Sequence, residues 1–508
     1  MIVIALHRFF TFVRMQKKFL KNLLLLIVLN LMVKPLWIFG IDRQVQNLVG
    51  PEEYGLYFTI FNFSFLFFIF LDLGITNFNN RNIAQNNQLL SKHLASIGTM
   101  KMMLGLLYAL VIFIVAWLNG YDGRAFYLLI WVGLNQFLLS FVLYLRSNLN
   151  GLLLFKTDSV ISVLDRLMMI MICGFLLWTG WYNALFTIEW FVYGQTAAYF
   201  FTAVIALVAV LHKAGKLTFH WNLPFFILII KKSLPFASLV LLMSFYNRID
   251  PVLIQRLLPE EIAYEQVGVY SQAFRLLDAG QNFAYLFAVL LLPLFAKMIS
   301  KKQDVEHLTR LSFSILISGV LIIAFSVSTY SEQIMTMLYT RMPDETILHF
   351  NSRIGQSATI FSVLMFSFVA ISSNYIFGTL LTANNNMRIL NFVALAGVII
   401  NLGLNFLLIP KFQSVGSAYA GMAAQMITAI LQLVIAVRFF KFRINYSLII
   451  RFILLILFML TIIYTLNNFI IVDWKTGLLT LVLGGMLASF SLKLFNLKEF
   501  ILIMKSRQ

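Results

Sequence analysis

Long apolar runs recur along this chain, each closed by a short polar or basic segment. A run of about 20 mostly apolar residues is long enough to cross a bilayer as a helix. Fourteen runs meet that length, near 22–41, 56–78, 95–118, 126–145, 159–180, 186–210, 234–255, 272–296, 311–330, 357–381, 389–409, 415–437, 447–470 and 477–495. The region from Val240 to Lys297 is the most interrupted, by Arg248, Asp250, Arg275 and Asp278. Connecting segments are short. The longest, 331–356 and 211–233, reach only about 25 residues, too few for a soluble catalytic domain. The pattern predicts an all-α polytopic membrane protein of about 14 transmembrane helices.

Composition agrees and then sharpens the picture. Of 508 residues, 61% are hydrophobic and 11% charged, where a soluble protein carries about 25% charge. A soluble enzyme is excluded, and so is disorder, which needs low hydrophobicity. The net charge of +18 reads as topology before it reads as nucleic-acid binding. With a cytoplasmic N-terminus, 26 of the 38 Lys and Arg fall in inner segments, 7 in outer loops and five inside spans. That asymmetry is the positive-inside rule at work, and it places both termini in the cytoplasm. Residues 1–21 carry Arg8, Arg14, Lys17, Lys18 and Lys21 among Ile2, Leu6, Phe9, Phe10 and Phe12. They read as a basic interfacial segment; a cleavable signal would have an unbroken apolar stretch and a small-residue cleavage site. The single cysteine, Cys173, excludes a disulfide framework and a Cys-based metal cluster.

An internal repeat is visible. The first copy is Leu48-Val49-Gly50-Pro51-Glu52-Glu53-Tyr54-Gly55-Leu56-Tyr57. The second is Leu257-Leu258-Pro259-Glu260-Glu261, followed after an insertion by Val267-Gly268-Val269-Tyr270. Each copy opens the second span of a half, and both halves start from the same side, so the repeat is parallel. The organisation it predicts is a basic segment 1–21, a six-helix bundle over 22–212, a second over 213–440, and two appended helices with a cytoplasmic tail over 441–508.

A Lys, Arg or Asp at the bilayer centre costs roughly 2.5–3.5 kcal/mol on insertion scales, so each intramembrane charge is a candidate site or a paired structural element. Lys34 precedes Pro35, which removes a backbone donor mid-span. It is a candidate to meet an anionic headgroup, or else to pair with Asp72. Arg248 lies within about two turns of Lys34's repeat-equivalent position, so both halves offer a cation. Asp250 can pair with Arg248 across one turn. Arg275 and Asp278, three apart, share a helix face and can pair. Asp72, Asp165, Arg166, Glu189, Asp250 and Asp278 are read as gating or ion-coupling candidates, with structural pairing as the alternative. Lys101, near the inner end of its span, is expected to snorkel. The Asn-rich stretches from Asn77 to Asn87 and Asn384 to Asn386 are expected to be solvated turns, and Asn374 and Asn401 interhelical hydrogen-bonders. No span contains any of the six His, and no phosphate-binding Gly-rich loop, His-Glu-x-x-His or Gly-x-Ser-x-Gly motif occurs. No cofactor, metal or enzymatic activity is expected.

These residues also carry a resemblance. The Leu48–Tyr57 motif, with the Phe-rich span ending Leu71-Asp72-Leu73-Gly74-Ile75, resembles the opening of bacterial polysaccharide flippases. These are O-antigen or capsule repeat-unit exporters of the multidrug/oligosaccharidyl-lipid/polysaccharide (MOP) superfamily. Asn247-Arg248-Ile249-Asp250-Pro251 with Gly268-Val269-Tyr270, and Asn401 to Pro410 with Val415 to Ala420, are similar to later parts of the same family. The resemblance implies a MATE-like body of two pseudo-symmetric six-helix bundles plus two C-terminal helices, in the cytoplasmic membrane. It implies flipping of an undecaprenyl-pyrophosphate-linked oligosaccharide by alternating access, through a cationic cavity holding Lys34, Arg248 and Arg275. Expected partners are the lipid-linked substrate, membrane lipid, and a polysaccharide polymerase and glycosyltransferases; nucleic acid is not one. A drug/cation antiporter and a lipid II flippase are the open alternatives.

Overall fold

Apolar stretches of the predicted length fold as helices, and all regular structure among the described residues is helical. The computed structural model of the protein describes residues 28–496 other than 31, 87, 89, 122, 179–185, 215–222 and 470–472. The predicted interfacial segment 1–21 lies outside the described residues. A π-helical stretch, Leu36–Asp42, leads into α1 (Arg43–Leu66). Then come α2 (Ile75–Gln85), α3 (Leu90–Leu118), α4 (Gly123–Gly151), α5 (Phe155–Trp178), α6 (Ile188–Ala214), α7 (Leu223–Arg248) and α8 (Asp250–Leu257). The chain continues with α9 (Glu260–Ser300), α10 (Glu306–Thr329), α11 (Ser331–Leu338), α12 (Ile347–Ala383), α13 (Met387–Phe440), α14 (Tyr446–Asn468) and α15 (Trp474–Ser491).

Among the described residues nine helices are long and apolar enough to cross a membrane, or ten if Ala237–Arg248 and Asp250–Leu257, bent by 49°, form one span. This is compatible with the fourteen runs in sequence, because breaks and fusions hide some of them. The runs 389–409 and 415–437 form the single α13 of 54 residues. Straight, it would reach about 80 Å against a hydrocarbon core of about 30 Å. It breaks instead at Gln413, with φ 53° and ψ −137°, three residues after Pro410. The run 56–78 is broken too: after a 3₁₀ turn at Phe68–Leu71 the backbone turns left-handed at Leu73 and Gly74 before α2 starts.

The chain forms two compact units. The first takes Met1–Val49 and Leu56–Ser244. In it α4 packs on α6 and α2, with a core that includes Ile83, Ile97, Tyr144, Leu145, Ile161 and Val210. The second takes Phe245–Gln508 together with Gly50–Gly55. Here α12 is central, packed on α9, α10 and α13. The appended α14 and α15 rest on α10 through Ile322, Leu455, Met459 and Leu481.

The short piece Gly50–Gly55 carries the first repeat motif into the second unit, where it crosses the second copy. A Cβ on Gly55 would lie 1.8 Å from the Tyr264 carbonyl oxygen, and one on Gly268 would lie 1.9 Å from that of Pro51. Tyr264 is four residues before Gly268, and Pro51 four before Gly55. The contact is therefore reciprocal, as a two-fold relation between the motif copies requires. Backbone meets backbone here, so only glycine fits. Gly268→Ala is expected to destabilise the protein by at least about 1–3 kcal/mol, the usual cost of overpacking. Thermal unfolding in detergent measures it; a midpoint equal to wild type would remove the crossing as a structural requirement.

The segment between α11 and α12 is tied by Glu345, which accepts from Arg353 Nε at 2.8 Å and Nη2 at 2.9 Å, and from the Met342 amide at 3.1 Å. Burial pushes the Glu345 carboxyl up, but Arg353 and the Met342 amide more than offset this and hold it below its ordinary value. A depressed carboxyl stabilises the fold above its unfolded value, about 4.3 for Glu. That contribution is lost as pH falls through the lower folded value. Wild type should therefore lose thermal stability below about pH 4.3. Glu345→Gln should start less stable at pH 7 and show a shallower acid slope. Parallel slopes would discount the pair.

Candidate functional site

Arg248 closes α7 and the chain then turns by 49° into α8. The turn separates Arg248 from Asp250, so the one-turn pairing expected from sequence does not form. Arg248 instead reaches Asp278 of α9 with both terminal nitrogens, each at 3.3 Å. Its guanidinium also lies 5.2 Å from the Phe274 ring centroid. Arg275 shares Asp278 at 3.9 Å, one helical turn away, as its spacing predicted. Arg275 Nε donates to Tyr54 Oη at 2.9 Å. Two guanidiniums thus share one carboxylate. The side chains are 22%, 14% and 17% exposed for Arg248, Arg275 and Asp278, so the cluster is open to a ligand. Arginine forks suit a phosphate or pyrophosphate group.

Asp250 has a different environment. It is 4% exposed. It accepts from Tyr270 Oη at 3.0 Å, Asn401 Nδ2 at 3.1 Å and Asn405 Nδ2 at 3.0 Å. Ser417 Oγ donates to Asn405 at 2.7 Å. Among the described residues no Lys, Arg or His pairs with Asp250. A buried carboxylate held only by neutral donors is costly unless it shares a proton or a cation. Nearby, Asn374 Nδ2 donates to Gln425 and Thr428, each at 3.1 Å, and Gln425 Nε2 to Asn247 at 2.6 Å. Both spanning asparagines, Asn374 and Asn401, thus bond between helices.

In the first unit, Lys34 is half-buried and Pro35 opens the π-helical stretch Leu36–Asp42. Such wide turns recur at functional sites. The turn carries Trp37, stacked on Phe191 at 5.8 Å. The Arg166 guanidinium of α5 lies 5.7 Å from the Trp37 ring centroid and 3.7 Å from Asp165. Lys34 stands one turn before Trp37. Glu189 pairs with Arg124 at 3.0 Å, at the N-terminal end of α6.

Two expectations are corrected here. Lys101 does not snorkel: it is 1% exposed. Its ammonium binds Asp72, the Leu71 carbonyl at 2.9 Å and Ser140 Oγ at 3.1 Å. The unwound backbone at 67–74 needs that donor, because its carbonyls have left the helix ladder. The Asn-rich stretch is not simply a solvated turn either. It folds as α2, and buried Asn79 donates to Ser147 Oγ at 2.8 Å and Asn148 Oδ1 at 3.0 Å.

Sequence reasoning also missed Asp42. It is 1% exposed and accepts from Gln46 Nε2 at 3.0 Å. The signal was present: Asp42 lies nine residues before Pro51, and Asp250 nine before Pro259. The two buried acids occupy equivalent repeat positions. Tyr57 and Tyr270 are equivalent too, and bind Gln195 at 3.2 Å and Asp250 at 3.0 Å.

Removing one member of a buried pair leaves an uncompensated charge and costs roughly 3–5 kcal/mol. Lys101→Met is expected to lower the unfolding midpoint sharply, and Lys101→Met with Asp72→Leu to recover much of the loss. A double variant as unstable as the sum of its singles would show that the pair is not coupled.

The sequence matches the family described as "Polysaccharide biosynthesis protein" over residues 19–299. No curated protein matches it. Solved structures of the same fold include the lipid II flippase MurJ in an inward closed conformation, at 14% identity and a TM-score of 0.67, covering 94% of this chain and 100% of that one. An inward-facing multidrug resistance MATE family transporter of the MOP superfamily is similar at 15% identity and 0.59, covering 81% and 94%. A MOP superfamily transporter from Pyrococcus furiosus, described as having a binding pocket of reverse polarity, matches at 16% and 0.56, covering 83% and 96%.

Proposed function

The chain belongs to the polysaccharide biosynthesis protein family, and from that premise we propose that it flips undecaprenyl-pyrophosphate-linked oligosaccharide repeat units across the bacterial cytoplasmic membrane. It does so by alternating access, with both termini cytoplasmic, and supplies surface polysaccharide. Its fold is that of transporters, and it is not an enzyme. The carrying observation is the Arg248–Asp278–Arg275 cluster, which gathers two partly exposed guanidiniums around one carboxylate in an apolar part of the chain. A pyrophosphate diester brings about two negative charges, which guanidiniums bind by charge-assisted hydrogen bonds. Lys34 and Arg166 are the candidate headgroup contacts of the first unit. Part of the arginine charge is already neutralised by Asp278, which tempers affinity and lets the substrate leave.

With the cell interior negative, outward movement of an anion is favoured by roughly 2.3 kcal/mol per charge per 100 mV. In this reading Asp250 is the coupling residue, since three neutral donors hold it and leave its charge to a proton or small cation. Asp72 and Glu189, each paired with a cation, serve as gate or structural contacts. Asp165 stands beside Arg166. A drug antiporter would need carboxylates to dominate, and the arginine cluster opposes that.

Lys34→Ala and Arg248→Ala should each abolish surface polysaccharide when expressed in a repeat-unit-flippase-null strain, with normal membrane insertion. Asp250→Asn should insert normally but export at least tenfold more slowly. Wild-type polysaccharide from both cation variants would sink the mechanism. Rescue of a lipid II flippase-null strain alone would redirect the substrate to lipid II.

A further inference from the structure

α11 is amphipathic over two turns: Met335 and Leu338 are buried, whereas Glu332, Gln333, Thr336 and Met337 are exposed. Facing this exposed side is the first turn of α15, with Trp474 and Lys475. Between them lies a recess of about 530 Å³ lined by these six residues, Met337 being the only aliphatic one. Its walls are held by tight packing. A Cβ on Gly477 would lie 2.0 Å from Tyr330 Oη, so α15 sits directly against the residue that precedes α11. Asp473 caps α15 by accepting from the Lys475 amide at 3.2 Å. The Lys475 ammonium lies 5.7 Å from the Trp474 ring centroid.

The polar ends of this lining make no ion pair among the described residues, and the Lys475 ammonium rests near the Trp474 ring. Among the described residues no ion pair or side-chain hydrogen bond engages the Glu332 carboxylate, the Gln333 amide or the Lys475 ammonium. A hydrocarbon chain would leave all three unsatisfied. A hydrated sugar would not. A pyranose offers an apolar C–H face to an indole ring and an edge of hydroxyls that both donate and accept. The carboxylate, amide, hydroxyl and ammonium present here supply both complementary roles. The volume is also in the range of small-ligand sites, about 300–1,000 Å³.

We infer that this recess is a saccharide-binding site, taking a sugar of the oligosaccharide as it emerges. The inference rests on the flippase reading and its orientation, which put residues 331–356 and Trp474 on the outer side. Trp474 is the stacking platform, and Glu332, Gln333, Thr336 and Lys475 are the hydroxyl partners.

The full-length protein in lipid nanodiscs can be tested by saturation-transfer NMR with chitobiose, lactose and glucuronic acid, and with glycerophosphoethanolamine as a headgroup probe. At least one sugar should receive saturation. The signal should fall threefold or more in Trp474→Ala and Glu332→Gln, and be largely retained in Trp474→Phe, which keeps an aromatic face. Sugar signals that ignore Trp474→Ala, or transfer to the headgroup probe alone, would overturn the site. Complementation by the same wild-type protein separates the two claims. Restored polysaccharide without Trp474-dependent sugar contact defeats the recess and leaves flipping intact. Trp474-dependent contact without restoration upholds the recess and defeats flipping.

Discussion

A charge placed in an apolar medium must find a partner or be neutralised, and the polar architecture of this protein follows from that constraint. The acids are the scarce component, 20 against 38 basic residues. Asp72 is taken by Lys101, Glu189 by Arg124, and Asp158 by Arg146. Asp278 is shared between two arginines. Two guanidiniums therefore gather on one carboxylate beside the bend that ends α7. A charged cluster among apolar helices needs anions nearby or water in reach, and partial exposure of all three side chains supplies the second condition.

The second constraint is geometric. The reciprocal glycine crossing allows the two motif copies to approach at backbone distance, closer than side chains permit. It also fixes the repeat register independently of the sequence match, since each glycine meets the residue four before the other. From that register follows the equivalence of Tyr57 with Tyr270, each two residues after its glycine; that of Asp42 with Asp250 follows from the Pro-Glu-Glu match, each nine residues before its proline. A five-residue insertion between Pro259-Glu260-Glu261 and Gly268 is absorbed at the start of α9 and leaves the crossing itself unchanged.

Much of the fold was legible because apolar length and period act locally. The helices, the interruption near Arg248 and Asp250, the repeat, and the i,i+3 relation of Arg275 and Asp278 all lie within short windows. The corrections share one cause: the deciding partner is on another helix. Lys101 reads as a snorkelling residue until Asp72, 29 residues earlier, is known to face it. Arg248 has an acid two residues away and chooses one 30 residues away, because the bend at Ile249 turns Asp250 toward α13. Asn79 reads as solvated until Ser147 and Asn148 of α4 approach. Pattern gives the face a residue occupies, whereas pairing depends on which helices become neighbours.

The repeat makes the differences between the equivalent acids informative. Asp42 is held by an amide on its own helix one turn on, Gln46. Asp250 is held by a tyrosine and two asparagines from α9 and α13. Protonating a carboxylate weakens the hydrogen bonds it accepts, so a change of charge at Asp250 alters the attraction among three helices. The Asp42–Gln46 bond, by contrast, couples adjacent turns of one helix. Asp250 also lies two residues from Arg248 across the bend, so a shift of α8 would reach the Arg248–Asp278 pair. A parallel duplication has thus kept one acid in each copy, and in the second that acid joins three helices that would feel a change in its charge.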